Sequence, residues 1–258
     1  MNEILHVKTP VISNKPIIPD FYELIFSSEK IAKLLSPGMF VTIKINSFFR
    51  RPFSIAGISG NNIRIIYKII GKDTNLLSKY GKNDSLDVFG PLGNGYTFSK
   101  PLLDGKKPVL IAGGSGIASL YFLASQLKQN ANPGLILYGV KTKTELIKLD
   151  SLIKDGWRIY KATEDGSAGH KGFVTELYSK FAQDNGCNNH YIYSAGPTPM
   201  LTKLLKICNN LKINGQVSLE RILACGIGTC RGCVVNTHNG YKTVCSDGPV
   251  FRIGELII

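Results

Sequence analysis

The chain has 258 residues, 43% hydrophobic and 19% charged, a globular make-up that excludes an intrinsically disordered protein. Its length allows one large domain or two to three small ones, and no window approaches the roughly 18 uninterrupted apolar residues of a membrane span. The net charge of +13 comes mostly from scattered lysines with no basic run of five, so a nucleic-acid surface is not expected; attraction to anionic cofactors or an acidic protein partner is.

The first residues include Glu3 and no apolar stretch of signal-peptide length, which predicts a cytoplasmic protein. From there to residue 99 the chain reads as short strands rich in β-branched and aromatic residues: Tyr22–Phe26, Met39–Ile45, Phe53–Ala56, Ile63–Ile70 and Ser85–Phe89. Turn residues separate them at Pro37-Gly38, Gly60-Asn61, Gly71-Lys72-Asp73 and Gly90-Pro91. This spacing predicts an antiparallel barrel. Within it, Arg51-Pro52-Phe53-Ser54 suits a flavin dinucleotide: a guanidinium for the pyrophosphate, a side chain near the ring and a hydroxyl near the hydride-accepting nitrogen. The same four residues also fit an ordinary strand end. Ile66-Tyr67-Lys68 and the turn from Gly71 to Thr74 follow it, which favours the flavin reading.

Residues 100–215 alternate strands and helices, the pattern of a parallel sheet covered on both faces. Strand Pro108–Ala112 runs through Gly113-Gly114-Ser115-Gly116 into a predicted helix, Ile117–Gln129. That is where glycines let a backbone approach a pyrophosphate, although a tight turn without a ligand has the same form. Strands at Gly134–Tyr138, Trp157–Tyr160 and His190–Ser194 and helices at Phe173–Ala182 and Pro199–Asn209 complete the segment, with a second strand-to-helix turn at Ala195-Gly196-Pro197.

Residues 216–258 are rich in cysteine and glycine. Four of the six cysteines fall there, as Cys225-x4-Cys230-x2-Cys233-x11-Cys245, while Cys187 and Cys208 stand apart. The first three match the spacing of plant-type [2Fe–2S] loops. Four soft thiolates hold two irons, and backbone N–H groups turned towards the sulfurs help set the potential. Gly226, Gly228 and Gly232 are placed to supply left-handed backbone for such a wrap. A structural zinc site also accepts four thiolates, but usually as two short C-x2-C pairs. His6, His170, His190 and His238 show no ligand spacing and are read as surface or core residues. No acid–base dyad is apparent, so no catalytic residue is assigned.

Taken in order, these stretches resemble the electron-transfer subunit of class 1B dihydroorotate dehydrogenase, within the ferredoxin–NADP reductase superfamily. The likeness is carried by Arg50-Arg-Pro-Phe-Ser-Ile55, Phe89-Gly-Pro-Leu-Gly-Asn-Gly95, Thr163-Glu-Asp-Gly-Ser-x-Gly-x-Lys-Gly172, Gly196-Pro-x-Pro-Met-Leu201 and Cys245-x-Asp-Gly-Pro-Val-Phe251. The resemblance implies an α+β multidomain fold: an FAD-binding barrel (1–99), an NAD-binding α/β domain with a parallel sheet (100–215) and a small [2Fe–2S] domain (216–258). It implies FAD contacts at Arg51, Pro52, Phe53, Ser54, Ile66, Tyr67, Lys68, Asp73 and Thr74. NAD would lie at Gly114 and Gly116, and the cluster on Cys225, Cys230, Cys233 and Cys245.

The implied partner is an FMN-containing subunit that oxidises dihydroorotate, in a heterotetramer of two subunits of each kind. Electrons would pass through the cluster and FAD to NAD⁺, in pyrimidine biosynthesis. Two positions depart from the family pattern. Asp73 stands where a glycine usually precedes the turn threonine, and Ala118-Ser119 stands where the nucleotide loop usually ends in Ala-Pro. The flavin subunit of an NADPH–ferredoxin transhydrogenase or sulfide dehydrogenase resembles the chain too, though a cysteine rather than a carboxylate at 225 leans towards the dihydroorotate system. A zinc-binding protein without enzymatic activity is the alternative of another class.

Overall fold

In the computed structural model of the chain, residues 3–45, 49–103, 105–130 and 134–257 are described. The first six strands are β1 (Leu5–Ile18), β2 (Phe21–Ser27), β3 (Phe40–Lys44), β4 (Arg51–Ser59), β5 (Asn62–Lys68) and β6 (Ser85–Leu92). They close a barrel in the order β1-β2-β5-β4-β3-β6, all antiparallel. Alternate residues point inward, so Leu24, Phe26, Val41, Ile43, Phe53, Ile55, Ile63 and Ile65 fill it.

Strand β1 lies outside the sequence expectation, because Pro10 and Pro16 interrupt its pattern. Both prolines sit where the ladder is already broken. Pro10 ends the pairing with β6 before the strand turns to β2, and Pro16 borders an irregularity against β2. One long strand thereby closes the barrel. Two short helices, α1 (Glu29–Leu34) and α2 (Lys72–Leu77), connect β2 to β3 and β5 to β6; Ser28 Oγ caps α1 by accepting from Ile31 N–H at 3.4 Å.

The second sheet is built from β7 (Lys107–Gly113), β8 (Leu135–Val140), β9 (Arg158–Thr163), β10 (His170–Lys171), β11 (His190–Ala195) and β12 (Gly215–Ser218). Their order is β10-β9-β8-β7-β11-β12 and every pairing is parallel. Helix α3 (Ile117–Asn130) covers one face, with Leu120, Leu123 and Leu127 packed together with barrel residues Phe21, Ala56 and Ile66. The short α4 (Asp150–Lys154) lies on the same side, contributing Leu152 to that cluster. Helices α5 (Val174–Asn185) and α6 (Thr198–Asn210) cover the other face through Tyr178, Leu201, Leu204 and Leu205.

The last stretch forms a hairpin, β13 (Val234–Thr237) with β14 (Gly240–Thr243). It then returns as β15 (Val250–Arg252), antiparallel to β12 at the edge of the large sheet. A barrel, a parallel sheet with helices and a cysteine-bearing C-terminal segment are thus the observed fold class. Among the described residues, no helix is long and apolar enough to cross a membrane.

Candidate functional site

All three segments meet in one cleft of about 1240 Å³. That exceeds the roughly 300–1,000 Å³ typical of small-molecule sites and suits a dinucleotide. Its barrel wall holds Arg51, Pro52, Phe53 and Ser54 from β4, Ile66, Tyr67 and Lys68 from β5, and Asp73 and Thr74 from α2. These nine residues come from three elements yet line a single surface.

The strand pleat explains the work of the two adjacent arginines. Arg50 Nη2 donates to the Asp87 carboxylate at 2.6 Å and to its carbonyl at 2.8 Å, pinning the start of β4 to β6. Arg51 faces the cleft with nearly half its side chain exposed, and its Nε donates to Asp73 Oδ2 at 2.5 Å. This contact engages the guanidinium through Nε. Phe53 turns inward, 7% exposed, edge-on to the Tyr67 ring at 5.8 Å. Tyr67 in turn donates to Asn14 Oδ1 at 3.1 Å, and burial raises its pKa.

Thr74 organises the turn before α2. Its hydroxyl donates to Gly71 C=O at 3.1 Å and accepts from the Ile70 and Gly71 N–H groups at 3.0 and 3.2 Å. Lys68 reaches across to Glu145 beyond β8, a 2.9 Å ion pair between barrel and sheet.

The sheet contributes the turn after β7. Gly113 ends the strand, Gly114–Gly116 make one 3-10 turn, and α3 follows at once. Gly116 lines the cleft, and close packing against the end of β11 requires glycine there: an added Cβ would lie 2.2 Å from Ala195 C=O. Gly114 (φ 52°) is absent from the lining, with open space where a Cβ would stand. Ser119 is buried, and its Oγ lies 3.5 Å from the Tyr96 hydroxyl, which donates to Ser194 C=O at 3.1 Å.

Sequence reasoning did not single out the stretch after β12, yet Ser218 to Leu223 also line the cleft. The available signal was positional: open α/β sheets bind ligands at the carboxyl ends of their strands. Recognising β12 as a parallel strand would have placed them.

The cysteine loop completes the site, with Gly232 and Val244 on the cleft wall. Each of the four sulfurs accepts a backbone amide. Gly228 N–H donates to Cys245 Sγ at 3.0 Å and Cys230 N–H to Cys225 Sγ at 3.4 Å. Gly232 N–H donates to Cys230 Sγ at 3.5 Å and Cys245 N–H to Cys233 Sγ at 3.4 Å. Gly226 (φ 74°) and Gly228 (φ 84°) adopt the expected left-handed backbone. Gly232 does not; Arg231 (φ 53°) takes that conformation, and Gly232 serves through its amide.

The amide bonds link the cysteines in twos, Cys230 N–H to Cys225 Sγ and Cys245 N–H to Cys233 Sγ. Two thiolates on each of two irons is the demand of a [2Fe–2S] cluster, whereas a single zinc draws all four to one point. Among the described residues, no three His, Cys, Asp or Glu side chains form a group that could hold a metal ion. Burial works to raise Cys225, but the amides of Cys230, Ile227 and Thr229 and the Cys230 thiol bring it down to about 7. Burial, then its neighbour Cys233, pushes Cys245 up to about 12. The residues therefore fit a two-iron group, whose positive irons would hold all four as thiolates.

The histidines take no part in the cleft lining. His6 bonds Asp87 at the surface, His190 is buried against the Tyr178 hydroxyl at 3.3 Å, and His238 is exposed. His170 is half-buried.

Residues 220–257 match the model of the iron-sulfur cluster binding domain of dihydroorotate dehydrogenase B. A curated protein of Geobacillus sp. (strain WCH70), dihydroorotate dehydrogenase B (NAD(+)), electron transfer subunit, is 35% identical over 257 residues, spanning 96% of this chain and 97% of its own. This chain belongs to the family of dihydroorotate dehydrogenase B electron transfer subunits. The family member from Fusobacterium nucleatum is 36% identical, over 96% of this chain and 97% of that one. A solved structure of the NADH-dependent reduced ferredoxin-NADP oxidoreductase, studied for flavin-based electron bifurcation, shares the fold with a TM-score of 0.85. It is 30% identical and covers 96% of this chain and 89% of that one.

Proposed function

We propose that the chain is the electron-transfer subunit of a dihydroorotate dehydrogenase. It carries electrons between an FMN-containing catalytic subunit and NAD⁺ by way of a [2Fe–2S] cluster and FAD. It works in the cytoplasm, where thiols stay reduced, in a heterotetramer with two catalytic subunits. The observation that carries this reading is the shared cleft, where the Arg51 strand end, the Gly116 turn and the cysteine loop all meet. When bound, FAD supplies the exchange between a two-electron hydride and single electrons.

The chain's own residues do the rest. Arg51, held at Nε by Asp73, offers its guanidinium to the diphosphate, and Thr74 fixes the turn beside it. Tyr67, Phe53 and Ile66 supply apolar wall against the flavin ring, with Ser54 exposed at its edge. Gly116 lets the nicotinamide dinucleotide approach backbone, with Gly114 in the same turn. Cys225, Cys230, Cys233 and Cys245 hold the irons, and their amide donors stabilise the negative cluster.

A second reading, a flavin subunit of an NADPH–ferredoxin transhydrogenase, draws on the 30% identity to the bifurcating oxidoreductase. Co-expression with a candidate catalytic subunit separates the two. Anaerobic protein should show flavin and [2Fe–2S] absorption and reduce NAD⁺ with dihydroorotate as donor. Iron-free protein containing zinc would reject both readings, and NADPH–ferredoxin activity without dihydroorotate turnover would favour the second.

A further inference from the structure

The cleft contains an acid that the proposed function does not yet use. Glu220 stands two residues beyond β12, at the carboxyl end of a parallel strand, and its side borders the cleft. Its neighbour Leu219 is tied down by an N–H to Pro249 C=O bond of 2.9 Å. The other charged groups of the cleft are Arg51, Lys68, Lys72, Asp73 and Arg221. Arg51 is paired with Asp73, and Lys68 with Glu145. Among the described residues Glu220 has no hydrogen-bond or ion-pair partner. It is open to the cleft yet surrounded by enough protein that desolvation raises its pKa, with no opposing interaction.

The chemistry needs one proton at this place. A hydride is two electrons and a proton. A [2Fe–2S] cluster delivers electrons singly and no proton. Two electrons from the cluster and one proton must therefore reach FAD before a hydride can leave for NAD⁺, and in reverse one proton is released. Of the two carboxylates on the wall, Asp73 receives Arg51, whereas Glu220 has no such partner among the described residues; the Ser54 hydroxyl, also on the wall, is too weak an acid to be the proton's source by itself.

We propose that the Glu220 carboxyl gives this proton to the flavin and is reprotonated by solvent through the cleft mouth. The inference rests on the function proposed above. The test uses full-length Glu220→Gln carrying FAD and the cluster, beside the parent protein and Glu220→Asp. On anaerobic photoreduction the half-reduced flavin should be the blue, proton-bearing form in the parent and the red, proton-free form in Glu220→Gln. Reduction of the flavin by dithionite, which brings electrons without hydrogen, should slow by about tenfold or more. Reduction by NADH, which brings its own hydrogen, should stay within about twofold, and Glu220→Asp should recover much of the dithionite rate.

A blue radical with an unchanged dithionite rate in Glu220→Gln overturns the proposal. So does equal slowing with both reductants, or loss of FAD from that variant, either of which assigns Glu220 a structural role. A parent protein that binds no flavin would instead defeat the functional reading itself.

Discussion

Arg50 and Arg51 are chemically identical and adjacent, but the strand pleat gives them different work. Arg50 reaches into the barrel wall and lies 5.6 Å above the Phe89 ring; Arg51 reaches into the cleft. Removing the cleft-facing one takes away a charged hydrogen-bond partner worth roughly 1.5–3 kcal/mol. Arg51→Ala should therefore weaken FAD binding by about one to two orders of magnitude in a fluorescence titration, with the barrel's melting little changed. Equal affinity would remove Arg51 from the diphosphate site. Asp73 belongs to the same picture. A glycine there would free the backbone, whereas the aspartate orients the guanidinium through Nε.

At the level of elements, barrel closure depends on how β1, β3, β4 and β6 are tied together, and Asp87 is a central knot. Its carboxylate receives both Arg50 and His6 from neighbouring segments. Burial works to raise its pKa, but the bonds from Arg50 and His6 outweigh it and hold the group below its ordinary 3.8. A carboxylate lowered in the folded state stabilises the fold above its unfolded pKa, and that contribution fades as pH falls through the folded value. Asp87→Asn should thus lose roughly 1.5–3 kcal/mol near neutral pH, by denaturant unfolding. The gap to the parent should close below about pH 3.8. A gap constant with pH would show that packing, not charge, is responsible.

Across the whole molecule, the geometry that matters is that of barrel, sheet and cysteine loop around one cleft. The junction is held by Gln216 of β12, which pairs with the linker as another strand would. Its Oε1 accepts from Thr97 N–H at 2.8 Å, and its Nε2 donates to Thr97 C=O at 2.7 Å. Tyr193 also donates to Thr97 C=O at 2.9 Å. On the other side, Asn94 donates to the Ser246 and Asp247 carbonyls, both at 3.0 Å, fastening the cysteine segment to the barrel. Gln216→Leu leaves the Thr97 amide unpaired, at a cost of about 1–3 kcal/mol. The expected outcome is a lower Tm with retained FAD and cluster but slower transfer from NADH to the flavin, read by stopped-flow absorbance. Unaltered transfer would mean the junction does not position the cleft.

Much of this was written in local sequence. Short runs rich in β-branched and aromatic residues, bounded by turn residues, marked β2 to β6, because such side chains favour extended backbone. The strand–Gly–helix turn at Gly113–Gly116 and the cysteine spacing carry their chemistry in short range, so the four thiols, Arg51 and Thr74 could be named without coordinates. What folding in three dimensions decided depends on contacts distant in sequence. Strand β1 is masked by prolines whose missing N–H groups matter only once its partners are known. Strands β12 and β15 have three or four residues each and become strands by pairing with each other and with β11. Glu220 illustrates the limit most directly: a surface-like glutamate in the sequence becomes an unpaired acid in the cleft because β12 lies beside β11 and delivers it there.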